Sequence, residues 1–338
     1  MKISLLHQTD LFRPHNDPDD HFDLACVYAL AYYDQIDLKG ILIDYPPEHN
    51  NGDPDVIAVA QMNFITGLNV PVAVGSSQPM KFHTKEKSVD AGAQFVIDIL
   101  KKSKKPVAIT IVGSCRDIAI AGRREPQLFA EKCAAIYLNA GTGSNEPIGE
   151  RELEYNVGLD PAAFAAIFEI PCPVYWQPCF GEYLMPQSEL KTLEFGTYFK
   201  FKQDEILPSL SEKMQKYFIF MLSKSNCPTW LRYLDQPKDD EALSLYCQMN
   251  RNMWNTAAFF HATGKTVTKD GEIIEIEKIE MSSVFGFEPI QVTCNTNGIA
   301  KWTIDKSSKD RFIFRVLDIE NYQSAMTKAL KSLLVSLP

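Results

Sequence analysis

The chain has 338 residues, 45% hydrophobic and 23% charged, with a formal net charge of −9. That is enough apolar content for a large core, and the wrong sign for non-specific binding to nucleic acid or an anionic membrane. No apolar run nears the ~20 residues that span a bilayer, and Met1 leads straight into a strand without a secretory signal, so a cytoplasmic protein is expected.

The eight cysteines, Cys26, Cys115, Cys133, Cys172, Cys179, Cys227, Cys247 and Cys294, include no Cys-x-x-Cys pair. Cys26 and Cys133 lie in apolar runs and read as buried free thiols, which suits a reducing compartment and argues against a structural zinc site. The basic turn Lys101-Lys102-Ser103-Lys104-Lys105 reads as a solvated helix end.

In chain order, Ile3-Ser4-Leu5-Leu6 predicts a first strand, and an acidic loop follows it. A helix to about Tyr33 comes next, with Leu24, Val27, Tyr28, Leu30 and Ala31 at near-helical spacing. The run from Leu38 to Tyr45, stopped by Pro46-Pro47, is a second strand. A helix over about 56–66, a strand from Val70 to Gly75 and a helix around 94–101 follow. Val107 to Gly113 is a fourth strand, with helices near 116–123 and 127–131 behind it. Ala134 to Gly141 is a fifth strand, Asp160 opens a helix over 161–168 with Pro161 at its first position, and Pro173 to Trp176 is a sixth strand. Strands alternating with helices predict an α/β fold: an open, mainly parallel, Rossmann-like sheet with helices on both faces. Residues 188–262 read as mostly helical. Hairpins are expected about Lys269-Asp270-Gly271 and Asn295-Thr296-Asn297-Gly298, then a strand from Phe312 to Val316 and a closing helix over 321–334.

The chemistry concentrates between the first strand and the first helix. Asp10, Asp17, Asp19, Asp20 and Asp23 lie there within one short stretch. In open α/β sheets ligands bind at the carboxyl ends of strands. Carboxylates converging in a cleft call for a cation, and oxygen donors suit calcium or magnesium rather than zinc. Helix capping accounts for one or two of the five, since Asp19 and Asp20 open a helix. Other strand ends carry Val112-Gly113-Ser114-Cys115-Arg116-Asp117 and Asn139-Ala140-Gly141-Thr142-Gly143-Ser144-Asn145. Neither is a Walker loop nor a dinucleotide fingerprint. Glu154 and Asn156, two apart, share a side if the segment is extended, and they offer donors and acceptors for sugar hydroxyls. His261, behind two phenylalanines, reads as a partly buried, satisfied side chain. Acyl-transfer motifs are absent.

The acidic loop with Asp19-Asp20, the Val112-to-Ala119 turn, Glu154-Tyr155-Asn156 with Asp160-Pro161-Ala162-Ala163, and the late pair Trp254-Asn255 occur in an order that resembles the inosine-uridine-preferring nucleoside hydrolase superfamily. The likeness spans about 1–180, with weaker stretches at 245–262 and 311–335. The amino-terminal motif departs from the family's Asp-x-Asp-x-Gly-x-Asp-Asp: residues are gained before Asp-Asp and the glycine is missing. The resemblance implies one nucleoside hydrolase-like unit over 1–338, with a parallel-sheet core at 1–180 and helical and hairpin additions at 181–338 that close the site. It implies hydrolysis of an N-glycosidic bond in a ribonucleoside or related N-riboside, with Ca2+, or else Mg2+, as cofactor. Matched residue by residue, Asp19 is the general base and Asp20 the bidentate metal ligand. Asp10 or Asp17 is a further ligand, and Val112 gives a backbone carbonyl. Asn145, Glu154 and Asn156 bind the sugar, and Asn255 stands where the family has its last metal-binding Asp. Trp254 takes the place of a histidine that protonates the leaving base. The partner is then a small nucleoside, with no nucleic acid or membrane partner, and a homo-oligomer is compatible with the chain. The alternatives are a non-catalytic nucleoside- or sugar-binding homologue that keeps the metal pocket, and a different, magnesium-dependent hydrolase on the same scaffold.

Overall fold

β1 (Ile3–Thr9) is buried from Ser4 onward, as a strand covered on both faces must be. The computed structural model describes residues 2–14, 18–48, 52–80, 90–143, 153–179, 194–223, 227–278 and 283–338. From β1 the chain passes through the short β2 (Phe12–Arg13) into α1 (Asp19–Tyr32), which is buried from Asp20 to Leu30 and is therefore an interior helix. β3 (Ile36–Ile43), the short β4 (Asp53–Pro54), α2 (Val56–Thr66), β5 (Val72–Val74), α3 (Ala91–Lys102) and β6 (Val107–Val112) follow. The Asp55 carboxylate caps α2 by accepting the Ala58 N–H at 3.1 Å, a contact typically worth ~1 kcal/mol. Next come α4 (Arg116–Arg124), α5 (Pro126–Lys132), β7 (Cys133–Asn139), α6 (Tyr155–Leu159), α7 (Pro161–Ile167) and β8 (Val174–Gln177).

The second half adds β9 (Phe199–Lys202), α8 (Glu212–Leu222), α9 (Asp240–Cys247), β10 (Asn250–Met253) and α10 (Thr256–Ala262). The hairpin β11 (Lys265–Val267) and β12 (Ile273–Glu275) follows, then β13 (Phe285–Cys294), β14 (Ala300–Ile304), β15 (Arg311–Val316) and α11 (Ile319–Leu334). One expectation gains a detail and one needs correction. Within the stretch expected to be mostly helical, α8, α9 and α10 are joined by a strand pair: β9 and β10 run antiparallel, Phe199 opposite Met253. Alternation of buried Phe199 and Phe201 with Lys200 and Lys202 is the two-residue period of a strand. The Glu154–Asn156 segment is not extended, because Glu154 caps α6 and Asn156 lies inside it.

The main sheet runs β14-β13-β15-β8-β7-β6-β1-β3-β5. β5, β3, β1, β6, β7, β8 and β15 are mutually parallel, and β13 is antiparallel to β15 and β14. The chain builds outward from β1 to β3 and β5, then crosses back to β6 on β1's other side. The strand order reverses there, so the ligand crevice of such a sheet lies beyond the ends of β1 and β6. Successive strand residues feed opposite faces. Leu5 packs with Tyr28, Met62, Tyr217, Phe259 and Leu330 of α1, α2, α8, α10 and α11. Leu6 packs with Val96, Ile118, Phe129 and Phe164 of α3, α4, α5 and α7. The carboxy-terminal helices thus form much of one face, and α10 reaches the site end with its first turn. No helix among the described residues is long and apolar enough to cross a membrane.

Candidate active site

Because these strands are parallel, Asp10 after β1, Asp44 after β3, Gly113 after β6, Ala140 after β7 and Cys179 after β8 come out at one edge of the sheet. Gly113 marks how tightly that edge closes. A Cβ there would sit 2.6 Å from Asp44 Oδ2 and 3.0 Å from the Asp10 Cβ. Only a residue without a side chain lets β6 end between these two acids.

α1 brings three further acids to the same place. Thr9 Oγ1 donates to Asp20 Oδ1 at 2.6 Å, tying the end of β1 to the first turn of α1. Asp20 is held well above the usual carboxylate range by burial, then by the charges of Asp10 and Asp19, with Asp23 adding to them. Asp23, fully buried, is pushed up to about 8 by desolvation and Asp10, against a hydrogen bond from Asn255. Asp44 is raised by burial and Asp10, while the Ser114 N–H and Arg116 oppose the shift. Gln8 Nε2 and the Ser114 N–H donate to its two oxygens. Glu154 is raised by burial and, more weakly, by Asp10. Asp10 acts on all four, so it stands at the electrostatic centre of the group.

The polar segment after β7 completes the edge. Glu154 accepts the N–H groups of Gly141 at 2.7 Å, Asn156 at 3.0 Å and Val157 at 3.2 Å. Three of its roughly four acceptor positions are therefore used by backbone. Asn156 Nδ2 donates to the Asn139 carbonyl at 3.0 Å, which fixes the amide. Asp160 caps α7 through the Ala163 N–H at 3.1 Å, accepts Met80 N–H at 2.6 Å and pairs with Arg116 Nε at 3.3 Å. Arg116 also donates to the carbonyl oxygens of Ser76 and Leu159. This buried network joins the ends of β5 and β6 to the start of α7.

At the far side, Trp254 and Asn255 lie between β10 and α10. The Trp254 ring packs on Tyr198, centroids 5.6 Å apart and 51° between planes. Asn255 Nδ2 donates to Asp23 Oδ2 at 2.8 Å, which joins α10 to α1. Of the residues picked from the sequence, the structure brings Asp10, Asp19, Asp20 and Glu154 into one electrostatic group and reaches Asn255 through Asp23. Val112 ends β6 beside Thr9. Asp17 and Asn145 lie outside the described residues. His261, as expected, is a satisfied side chain: it meets Tyr137 Oη at 2.9 Å, and burial lowers it to about 4.

The sequence reading gave no site role to Asp44 or Cys179. Cys179 Sγ donates to Asn139 Oδ1 at 3.1 Å, and its thiol is pushed up by burial, then by Glu154, Asp19 and Asp10. Asp44 follows β3 directly and Cys179 comes two residues after β8, so the strand-end rule applied to Asp10 would have found them. Asp23 was in view only as part of the acidic stretch. Its place three residues after Asp20 and four after Asp19 puts it on their face of the helix.

Among the described residues, no group of three or more His, Cys, Asp and Glu side chains forms a ready metal cage. The donor chemistry nevertheless suits a hard cation. Asp23 Oδ1, Asn255 Oδ1 and Thr256 Oγ1 are buried oxygens that no protein group hydrogen-bonds. Buried polar atoms are ordinarily satisfied. Oxygen donors next to mutually repelling carboxylates fit calcium or magnesium.

The inosine-uridine preferring nucleoside hydrolase model matches residues 15–267. The chain belongs to that family and is a nucleoside hydrolase-like enzyme, whose class chemistry is cleavage of an N-glycosidic bond by water. Its fold is similar to an inosine-guanosine nucleoside hydrolase, with 13% identity, TM-score 0.57 and 98% and 99% of the two chains covered. It is similar also to a plant nucleoside hydrolase, with 14% identity, TM-score 0.54 and coverage of 98% and 100%. A purine-preferring ribonucleoside hydrolase from Gardnerella vaginalis aligns at 13% identity and TM-score 0.50, over 98% and 99% of the chains. No curated protein matches the sequence.

Proposed function

We propose that the chain hydrolyses the N-glycosidic bond of a ribonucleoside or related N-riboside in the crevice beyond β1 and β6, with calcium as its cofactor. The observation that supports this most is the position of Asp10 at the strand-order reversal, where its charge acts on Asp20, Asp23, Asp44 and Glu154 together. The Asp20 carboxylate, Asp10 or Asp17, the Val112 carbonyl and the Asn255 amide oxygen would hold the ion. A bidentate carboxylate mixed with neutral oxygens favours calcium, which accepts six to eight ligands in flexible geometry. When bound, the ion supplies a fixed positive centre that acidifies a water and orients ribose hydroxyls.

The protein's own groups do the remaining work. Asp19 is part-exposed in the first turn of α1, whereas Asp20 and Asp23 are buried. It is thus the acid of that turn which water reaches, and it takes the proton of the attacking water. Asp10 and Asp19 face the positive charge that develops on the sugar as the bond breaks, and low dielectric makes that attraction strong. Glu154, pinned by three N–H groups, and Asn156, pinned on Asn139, hold ribose hydroxyls with little reorganisation, together with Asn145. Trp254 on Tyr198 offers an aromatic face on which a base stacks. Its indole N–H does not act as an acid near neutral pH, so departure of the base is unassisted there.

The test is product release from a nucleoside panel with calcium and with chelator. Calcium-dependent release of free base and ribose is expected. Sugar binding without release from any nucleoside or activated aryl riboside would refute the hydrolytic reading.

A further inference from the structure

Asn255 and Asp23 meet 2.8 Å apart where the first turn of α10 crosses α1, and both are buried. With a cation beside it Asp23 is ionised and only accepts hydrogen bonds, while an amide has one donating end and one accepting end. The contact therefore sets the amide's direction: Nδ2 faces Asp23, and Oδ1 faces away. Asp23 Oδ1, Asn255 Oδ1 and the adjacent Thr256 Oγ1 are all left without a protein hydrogen-bond partner. A pair whose task was to join two helices would gain by satisfying these atoms, since a buried orphan loses its hydration and gains nothing in return. Three oriented oxygens at one helix crossing are instead what a hard cation takes as ligands or near neighbours. Asp23 also lies on the Asp19–Asp20 face of α1, and Asp10 acts on both Asp20 and Asp23.

We propose that Asp23 is a positioning residue of the cation site: it holds the Asn255 amide with its carbonyl oxygen turned to the cation and adds a negative charge behind it. This rests on the calcium reading above. It assigns to Asp23 a task that composition alone would give to any member of the acidic group. Partners that orient a metal ligand typically alter affinity by about 10–100-fold when removed.

Calorimetric calcium titration of the chelator-stripped protein tests it, with a thermal melt of each metal-free variant alongside. Asp23→Asn removes the charge and offers Asn255 a partner that donates as well as accepts, so the amide's direction is no longer set, and calcium affinity should fall by about 10–100-fold. Asn255→Ala removes the oriented oxygen and should weaken binding similarly, which gives a second measurement if Asp23→Asn folds poorly. Calcium affinity unchanged in Asp23→Asn, with only the metal-free melt altered, would overturn the assignment and leave the calcium reading standing. Wild-type protein that binds no calcium would overturn both.

Discussion

Raising the pH from 6.5 to 8 should destabilise the metal-free protein, and calcium should abolish the effect. His7 and His261 are lowered to about 3 and about 4 from an ordinary 6.5. Folded, they are neutral throughout this window, whereas unfolded each is half protonated at pH 6.5 and neutral by pH 8, so each opposes the trend by roughly 0.4 kcal/mol. Asp23 behaves differently, with an ordinary value of 3.8 and a folded value of about 8. Between those values the folded protein holds a proton that the unfolded chain has released. Stability from this group is complete below 3.8 and is lost as pH rises to about 8. One such proton changes stability by ~1.4 kcal/mol per pH unit, so Asp23 alone costs about 2 kcal/mol across the window. Asp20 and Asp44 are raised too and act with the same sign. At ~2.1 cal/mol/K per residue, unfolding entropy for this length is roughly 0.7 kcal/mol/K, so even against the two histidines Tm should fall by about 2 °C or more. The assay is a pair of melts, in chelator and in saturating calcium, at the two pH values. A metal-free Tm that stays level or rises between them would refute the argument that these acids are buried without compensation.

Calcium at about 100 times its Kd should stabilise the fold by ~2.7 kcal/mol, a Tm rise of roughly 4 °C; an unchanged melt at millimolar calcium counts against the site. Asp19→Asn should leave the melt intact and lower kcat by ~10²–10⁴-fold, whereas wild-type turnover would send the base role to Asp17 or Asp23. Gly113→Ala places a Cβ 2.6 Å from Asp44 Oδ2 and 3.1 Å from the Asp10 backbone N, and should cost ~1–3 kcal/mol in a chemical melt. With Trp254 in place of an acid, kcat/KM for p-nitrophenyl riboside should far exceed that for inosine; a ratio near one with brisk inosine turnover would show that another group protonates the base.

The parallel core was legible because its strands are buried on both faces and read as continuous apolar runs, each closed by proline, glycine or an acid. Long-range pairing was not. Nothing local in Arg311–Val316 states that it inserts beside β8 and carries β13 and β14 into the main sheet, because the partners lie far away in sequence. β9 was concealed for another reason. It has only four residues, too few for its alternation of phenylalanine and lysine to stand out.

The site divided along similar lines. Asp10, Asp19 and Asp20 were readable because one loop holds them, and the order of motifs pointed to Glu154 and Asn156. Their geometry was less readable: Glu154 looked like a free ligand in an extended segment, whereas its carboxylate caps α6. That local capping serves function, because an acid already held by three backbone N–H groups has little freedom left to lose when a sugar arrives. Asp44 and Cys179 needed the strand-end rule applied to every strand, not only to the most acidic one. The Asp23–Asn255 contact needed more, since it joins residues 232 positions apart. A reading of the sequence weighs each by its own type and finds one more acid in an acidic stretch and one neutral amide after a tryptophan. Only the crossing of α1 and α10 shows that the acid determines which end of the amide is free.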